Sequence, residues 1–128
     1  QVVLPLLETD LLTVMKAVTE ERLSEVEVKW SDSYACCVVA ASDGYPVSYE
    51  KGYEITIPDG LWPYIYIAGA MEEDGKLLTS GGRVLGVTAV RPTLAEAVDS
   101  SYDMLDQIDF ANKYYRVDIG QKALKAGK

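Results

Sequence analysis

The sequence predicts an α+β domain: a mostly antiparallel sheet flanked by two helices. Two segments carry apolar residues at helical spacing, one near each end of the chain. Between them lie several short β-type runs separated by glycine, proline and aspartate turn signals. The order helix, several strands, helix argues for α+β. With 128 residues, 48% of them hydrophobic, the chain reads as a single domain (residues 1–128) able to bury a core without staples.

Each element has a local cause. Thr9 can cap a helix whose apolar positions Leu11, Leu12, Met15 and Val18 recur at helical spacing, running to about Leu23. Val26, Val28 and Trp30 alternate with Glu27 and Lys29, which predicts a half-buried strand. Ser31–Ser33 is a turn. Ala35–Ala41 is continuously apolar and predicts a central strand, ended by Ser42–Pro46. Glu54–Ile57 predicts a short strand stopped by Pro58-Asp59-Gly60. Tyr64–Ala70 predicts another, and Asp74-Gly75 a hairpin turn from which Lys76–Thr79 returns. Val84–Val90 follows as a strand. Thr93 and Glu96 form a capping box for a helix through Val98, Tyr102, Leu105 and Ile108. The stretch from Tyr114 to Gly120 predicts an irregular segment, with a helix from Gln121. The stripes Leu11/Met15/Val18 and Val98/Tyr102/Leu105 are expected to face the sheet.

Charge and cysteine usage narrow the class. The net charge of −8 argues against nucleic acid, whose affinity rests on phosphate neutralisation. Residues 1–112 carry a balance of −12 and residues 113–128 a balance of +4. That basic C-terminal tail reads either as a solvated end or as a segment that docks on an acidic surface. Cys36 and Cys37 are adjacent, so in a strand they point to opposite faces and cannot pair. Buried thiols in a reducing cytosol are the expectation, hence a cytoplasmic protein. The run Val2–Leu7 is too short for a signal-peptide core or a membrane span. The chain begins without Met, inside an apolar pattern, and reads as a fragment of a longer polypeptide.

Few residues offer chemistry. There is no histidine, which removes the usual general base and the commonest metal ligand. Glu72, Glu73 and Asp74 are consecutive on a hairpin tip and read as a solvated loop. Ser80-Gly81-Gly82-Arg83 stands between two strands. Its glycines leave the main chain open to close approach, and the Arg83 guanidinium suits phosphate or carboxylate. It reads as a tight turn or as an anion site. Tyr45–Gly52 reads as an ordered loop with two aromatics, Tyr45 and Tyr49, and two opposite charges. Arg116 and Asp118 read as an ordinary ion pair or as part of a cleft wall. No catalytic set and no metal site is expected in these residues.

Several stretches, in order, resemble one family. They are Val3–Leu12, Lys29–Asp32, Gly44–Gly52, Ala68-Gly69, Thr79–Thr88 and Tyr114–Gly120. Together they are similar to the C-terminal domain of phosphoribosylamine–glycine ligase, over roughly residues 2–124. The resemblance implies the rudiment single-hybrid-like fold that ends ATP-grasp ligases. It implies a parent enzyme of purine biosynthesis using ATP and Mg (or Mn), with glycine and 5-phosphoribosylamine as substrates. It further implies that the nucleotide and metal sites lie in an ATP-grasp core upstream, to which residues 1–8 are the end of the link. These 128 residues alone are then inactive, with no cofactor, nucleic-acid or membrane partner of their own. Ser80, Gly81, Gly82 and Arg83 become substrate-binding candidates, and Tyr45, Tyr49, Arg116 and Asp118 cleft-lining ones. Three positions depart from the family pattern: Val47 for Gly, and Ile67 and Ala70 for the His and Thr of a His-Ala-Gly-Thr word. Two other readings are the matching domain of another ATP-grasp enzyme, such as a biotin-dependent carboxylase, and a non-catalytic interaction module that keeps the fold.

Overall fold

Two long strands form the centre of the fold. In the computed structural model, which describes residues 1–126, β1 (Tyr34–Ser42) pairs antiparallel with β5 (Arg83–Arg91) from Tyr34↔Arg91 to Ala40↔Leu85. The short strands β2 (Ile65–Ile67) and β6 (Lys113–Tyr114) add at the two edges, giving the order β2-β5-β1-β6. β1 is thus central, and its run of apolar residues fits covered neighbours on both sides. On one face stand Cys36, Val38 and Ala40, opposite Ala89, Val87 and Leu85 of β5, all buried.

The helix α2 (Leu94–Asp106) covers that face with Ala97, Val98, Met104 and Leu105. Its start is the expected capping box: Glu96 N–H donates to Thr93 Oγ1 at 3.3 Å, and Thr93 N–H to Glu96 Oε2 at 3.1 Å. Buried Ser101 lies with its hydroxyl 2.9 Å from the Cys36 carbonyl and 2.8 Å from that of Ala97, donating to one at a time. That contact ties helix to strand without leaving a polar group unpaired. The Lys113 ammonium donates to the Leu105 and Ile108 carbonyls, satisfying the end of the helix. The last helix, α3 (Gln121–Ala126), packs Leu124 on the same core. Lys128, counted in the basic tail, lies outside the described residues.

A separate hairpin pairs β3 (Ala70–Glu73) with β4 (Lys76–Thr79). Its turn residues Asp74 and Gly75 have φ of 50° and 75°, the left-handed pair that a two-residue hairpin loop needs. The single strand expected over Tyr64–Ala70 is therefore two strands in two sheets. The break falls at Ala68-Gly69, where Gly69 N–H lies 2.8 Å from the Arg83 carbonyl and the Gly69 carbonyl turns to the neighbouring loop.

Other expectations are corrected as well. Glu54–Ile57 forms only single bridges, Glu54↔Leu78 and Thr56↔Asp109, although Ile55 reaches the core. Val26–Trp30 makes no ladder; Trp30 pairs once, with Leu7. The first helix, α1, spans Leu11–Thr19, and Asp10 rather than Thr9 caps it, accepting from Thr13 N–H at 2.8 Å. Thr9 instead donates to the Glu27 carbonyl and accepts from Lys29 N–H. α1 stops early because Glu21 takes a φ of 56°. Glu21 N–H then bonds the Val18 carbonyl and Arg22 N–H that of Ala17, a Schellman closure with Glu in glycine's usual place. The stripe Leu11/Met15/Val18 does not face the sheet: all three are exposed. Val98 and Leu105 of α2 do face it.

These contacts set the stability scale. Leu105 is fully buried, so Leu105→Ala should cost about 2–5 kcal/mol in chemical denaturation. Thr93→Ala, which removes the cap, should cost about 0.5–2 kcal/mol by the same measurement.

Candidate functional site

The Ser80–Arg83 turn is held from three sides. Thr79, at its start, is buried: its N–H donates to the Tyr53 carbonyl and its hydroxyl accepts from Tyr53 N–H at 3.1 Å. Ser80 and Gly81 N–H both donate to the Gly69 carbonyl, at 2.8 and 3.0 Å. Ser42 N–H donates to the Gly82 carbonyl at 2.8 Å, and its hydroxyl to that of Gly81 at 3.2 Å. The Ser80 and Gly81 N–H groups are therefore spent inside the protein, and the glycines have another purpose. A Cβ on Gly69 would stand 2.8 Å from the Gly81 Cα and 2.5 Å from the Arg83 carbonyl oxygen. A Cβ on Gly82 would strike the Tyr45 ring. Glycine is needed here for chain-on-chain packing.

Arg83 leaves this knot as the first residue of β5. Opposite it the β1 register slips between Ala40 and Ala41, and such a bulge re-aims the side chains around it. Arg83 is exposed and lines a cleft of ≈190 Å³ with Val39, Ala41, Tyr45, Tyr114, Tyr115 and Arg116. Val39 and Ala41 belong to the sheet face turned away from α2, because they alternate with buried Val38 and Ala40. Arg116 is clamped side-on by Asp118, Nε to Oδ1 at 2.8 Å and the second nitrogen to Oδ2 at 2.6 Å. Arg83 has no ion-pair partner among the described residues. Of the two guanidiniums at the cleft, Arg116 thus has a carboxylate on it and Arg83 has none.

The walls are positioned by neighbours. Tyr102 of α2 donates its hydroxyl to the Arg116 carbonyl at 2.6 Å and accepts from Ile119 N–H at 3.1 Å, which pins the Arg116–Asp118 segment. Tyr115 donates to Asp106 at 2.6 Å, and that bond pushes its phenol pKa up. Tyr49 stacks edge-on to Tyr45 with centroids 5.8 Å apart, and Lys51 lies over the Tyr49 ring. The hydrogen bond from Arg116 holds the Asp118 carboxyl below its ordinary value, and the same bond raises Arg116.

Arg83, Tyr45 and Arg116, separated widely in sequence, thus share one cleft. Asp118 and Tyr49 stand one step back, holding Arg116 and Tyr45. Ser80, Gly81 and Gly82 form the strut beneath. Gly69, Ser42, Tyr102 and Tyr115 are additions from the structure. Gly69 and Tyr115 lie in stretches that carry the family resemblance, and a lone glycine inside a strand pattern is a further signal for Gly69; nothing local marks the roles of Ser42 and Tyr102. Among the described residues no three His, Cys, Asp or Glu side chains come together to hold a metal ion, and Glu72–Asp74 sit exposed on the hairpin. No helix among them is long and apolar enough to cross a membrane.

This architecture defines an α+β module with an arginine-lined cleft on a glycine-built strut. The chain belongs to the phosphoribosylglycinamide synthetase C-domain family, whose model matches residues 35–122. It is 48% identical over 128 residues to the bifunctional purine biosynthetic protein PUR2,5 of Pichia angusta, covering 98% of this chain and 16% of that protein. It is 46% identical over 131 residues to the phosphoribosylamine–glycine ligase of Synechocystis, covering 97% of this chain and 30% of the ligase. The crystal structure of the Thermotoga maritima phosphoribosylamine–glycine ligase superposes with a TM-score of 0.68 at 36% identity, over 81% of this chain and 27% of that one. The chain thus spans less than a third of these relatives. The matches favour the purine-ligase reading over the carboxylase one.

Two measurements check the site. Gly69→Ala should destabilise the protein by about 1–3 kcal/mol through overpacking, whereas Gly60→Ala, with open space at its Cβ, should be close to neutral. An NMR titration should place the Asp118 midpoint below 3.8, and Arg116→Ala should return it toward that value. The sign follows from linkage. A lowered folded pKa means the pair's contribution is present above 3.8 and fades as pH falls through the lower folded value.

Proposed function

We propose that these residues form the C-terminal domain of a phosphoribosylamine–glycine ligase, closing one side of its substrate cleft. The reaction is then an ATP-dependent carbon–nitrogen ligation. ATP transfers its γ-phosphoryl group to the glycine carboxylate, releasing ADP. The phosphoribosylamine nitrogen attacks that acyl phosphate, expels phosphate and loses a proton, leaving glycinamide ribonucleotide. ATP and Mg (or Mn) belong to the ATP-grasp part of the polypeptide; among the described residues no three His, Cys, Asp or Glu side chains come together to hold a metal ion. Family membership and the names of the relatives support the reading.

The role of this chain is to bind and orient an anion. The observation that carries it is the unpaired Arg83 guanidinium beside an Arg116 already neutralised by Asp118. Both substrates are anionic, one through its carboxylate and the other through its phosphate, and a planar fork matches either. The Gly69–Gly81 strut limits the motion of Arg83's backbone, so little order need be gained on binding.

In the full-length ligase, Arg83→Ala should lower kcat/KM for glycine or phosphoribosylamine by about ten- to a hundredfold, the loss of one charge-assisted contact. Arg83→Lys should recover part of it, and KM for ATP and the melting temperature should barely move. Full activity in a destabilised Arg83→Ala protein would make the arginine a structural turn residue.

A further inference from the structure

The Arg83 cleft has a second property besides its free guanidinium: no carboxylate lines it. Val39, Ala41, Tyr45, Tyr114 and Tyr115 stand around the two arginines. Two acids are bonded to these residues, Asp118 through both oxygens to Arg116 and Asp106 by the Tyr115 hydroxyl. Both are thereby engaged.

The cleft also has one flat, rigid wall. A Cβ on Gly82 would overlap the Tyr45 ring, so that ring lies directly against the Gly82 main chain. Tyr49 braces it edge-on, with centroids 5.8 Å apart. Tyr45 nevertheless remains 43% exposed. A ring fixed in this way offers apolar contact area at little entropic cost.

These features separate the two candidate anions. In glycine a single carbon stands between carboxylate and ammonium. A glycine carboxylate on Arg83 would draw its ammonium in beside two guanidiniums, with no carboxylate on the walls to receive it. Like charges that close repel, and more strongly away from water. The glycine carboxylate is also the group that takes the phosphoryl from ATP, so it has to lie where ATP is held. In phosphoribosylamine the phosphate and the amine stand at opposite ends of the ribose. The phosphate takes no part in the reaction. It can be gripped while the amine stays free to attack, and binding energy from this unreactive end then orients the nucleophile.

We propose that the Arg83 cleft is the phosphoribosyl site of the ligase. Arg83 forks the phosphate of phosphoribosylamine, the apolar face of the ribose lies on the Tyr45 ring, and the amine points out of the cleft. Glycine is held elsewhere. This rests on the reading of the cleft as a substrate site of a longer ligase.

The test uses the full-length ligase with Arg83→Gln, Arg83→Lys or Tyr45→Leu. Arg83→Gln should raise KM for phosphoribosylamine at least about tenfold and leave KM for glycine within about twofold. Arg83→Lys, which keeps the charge and loses the fork, should give a smaller rise. Ribose 5-phosphate, which lacks the amine, should compete with phosphoribosylamine and not with glycine, and Arg83→Gln should weaken it by about the same factor. Tyr45→Leu should weaken ribose 5-phosphate by about three- to tenfold and inorganic phosphate by less, because only the sugar meets the ring. A rise in the glycine KM alone would overturn the assignment and leave the cleft a substrate site. Equal rises in both KM values would overturn it too, by marking a general loss of cleft closure. If neither KM moves in an enzyme that melts at the usual temperature, the assignment and the substrate-binding reading fall together.

Discussion

The β1–β5 ladder is the interaction on which everything else in this domain depends. Eight facing positions run from Tyr34↔Arg91 to Ala41↔Arg83. One side of the pair gives α2 a flat apolar surface of Val38, Ala40, Leu85, Val87 and Ala89. The other side carries Val39 and Ala41 to the cleft. The ladder also fixes where Arg83 stands, because its bulge falls at the start of β5, directly after the turn. Parts far apart in sequence, β6 and the Tyr115–Asp118 segment, reach the cleft only because β6 pairs with the end of β1.

Rigidity then passes from the ladder to the site through main-chain contacts. Gly69 accepts from Ser80 and Gly81, while Ser42 holds the Gly81 and Gly82 carbonyls. Five residues from three segments meet with almost no side-chain volume between them. The guanidinium carries the recognition chemistry, and the strut sets its origin. This division explains why the glycines look like a ligand loop in sequence while serving as packing elements in space. Two constraints, close approach to a ligand and close approach to another strand, select the same residue type.

How much of this was legible varies with the range of the interaction. The capping box at Thr93 and Glu96, the Asp74-Gly75 hairpin and the central apolar strand rest on neighbours a few residues apart, and all three were readable. The family resemblance led to the right domain class, since the chain matches the C-domain model over residues 35–122. Arg83, Tyr45 and Arg116 could be singled out by chemistry, yet nothing in their spacing said that they share a cleft. The Thr9 reading failed because two adjacent cap-forming residues compete, and Thr9 was claimed by the returning Glu27–Lys29 segment. The Val26–Trp30 alternation has the strand period but no partner edge beyond Leu7, so it stays unpaired.

By itself the sequence determined the local states: helix, turn and extended chain, the capping and hairpin chemistry, the α+β order and the family. These depend on short-range sterics and hydrogen bonding, which a string of residues encodes directly. Tertiary structure alone decided which apolar stripe is core and which is surface. α1 and α2 both carry an apolar stripe, but only α2 meets the sheet; α1 is held away on an arm pinned at Leu7 and Trp30. It also decided that Arg116 is neutralised and Arg83 is not, because an ion pair is a matter of distance in space. Hydrophobic burial and charge pairing are properties of a neighbourhood, and the neighbourhood exists only once the strands have found their register.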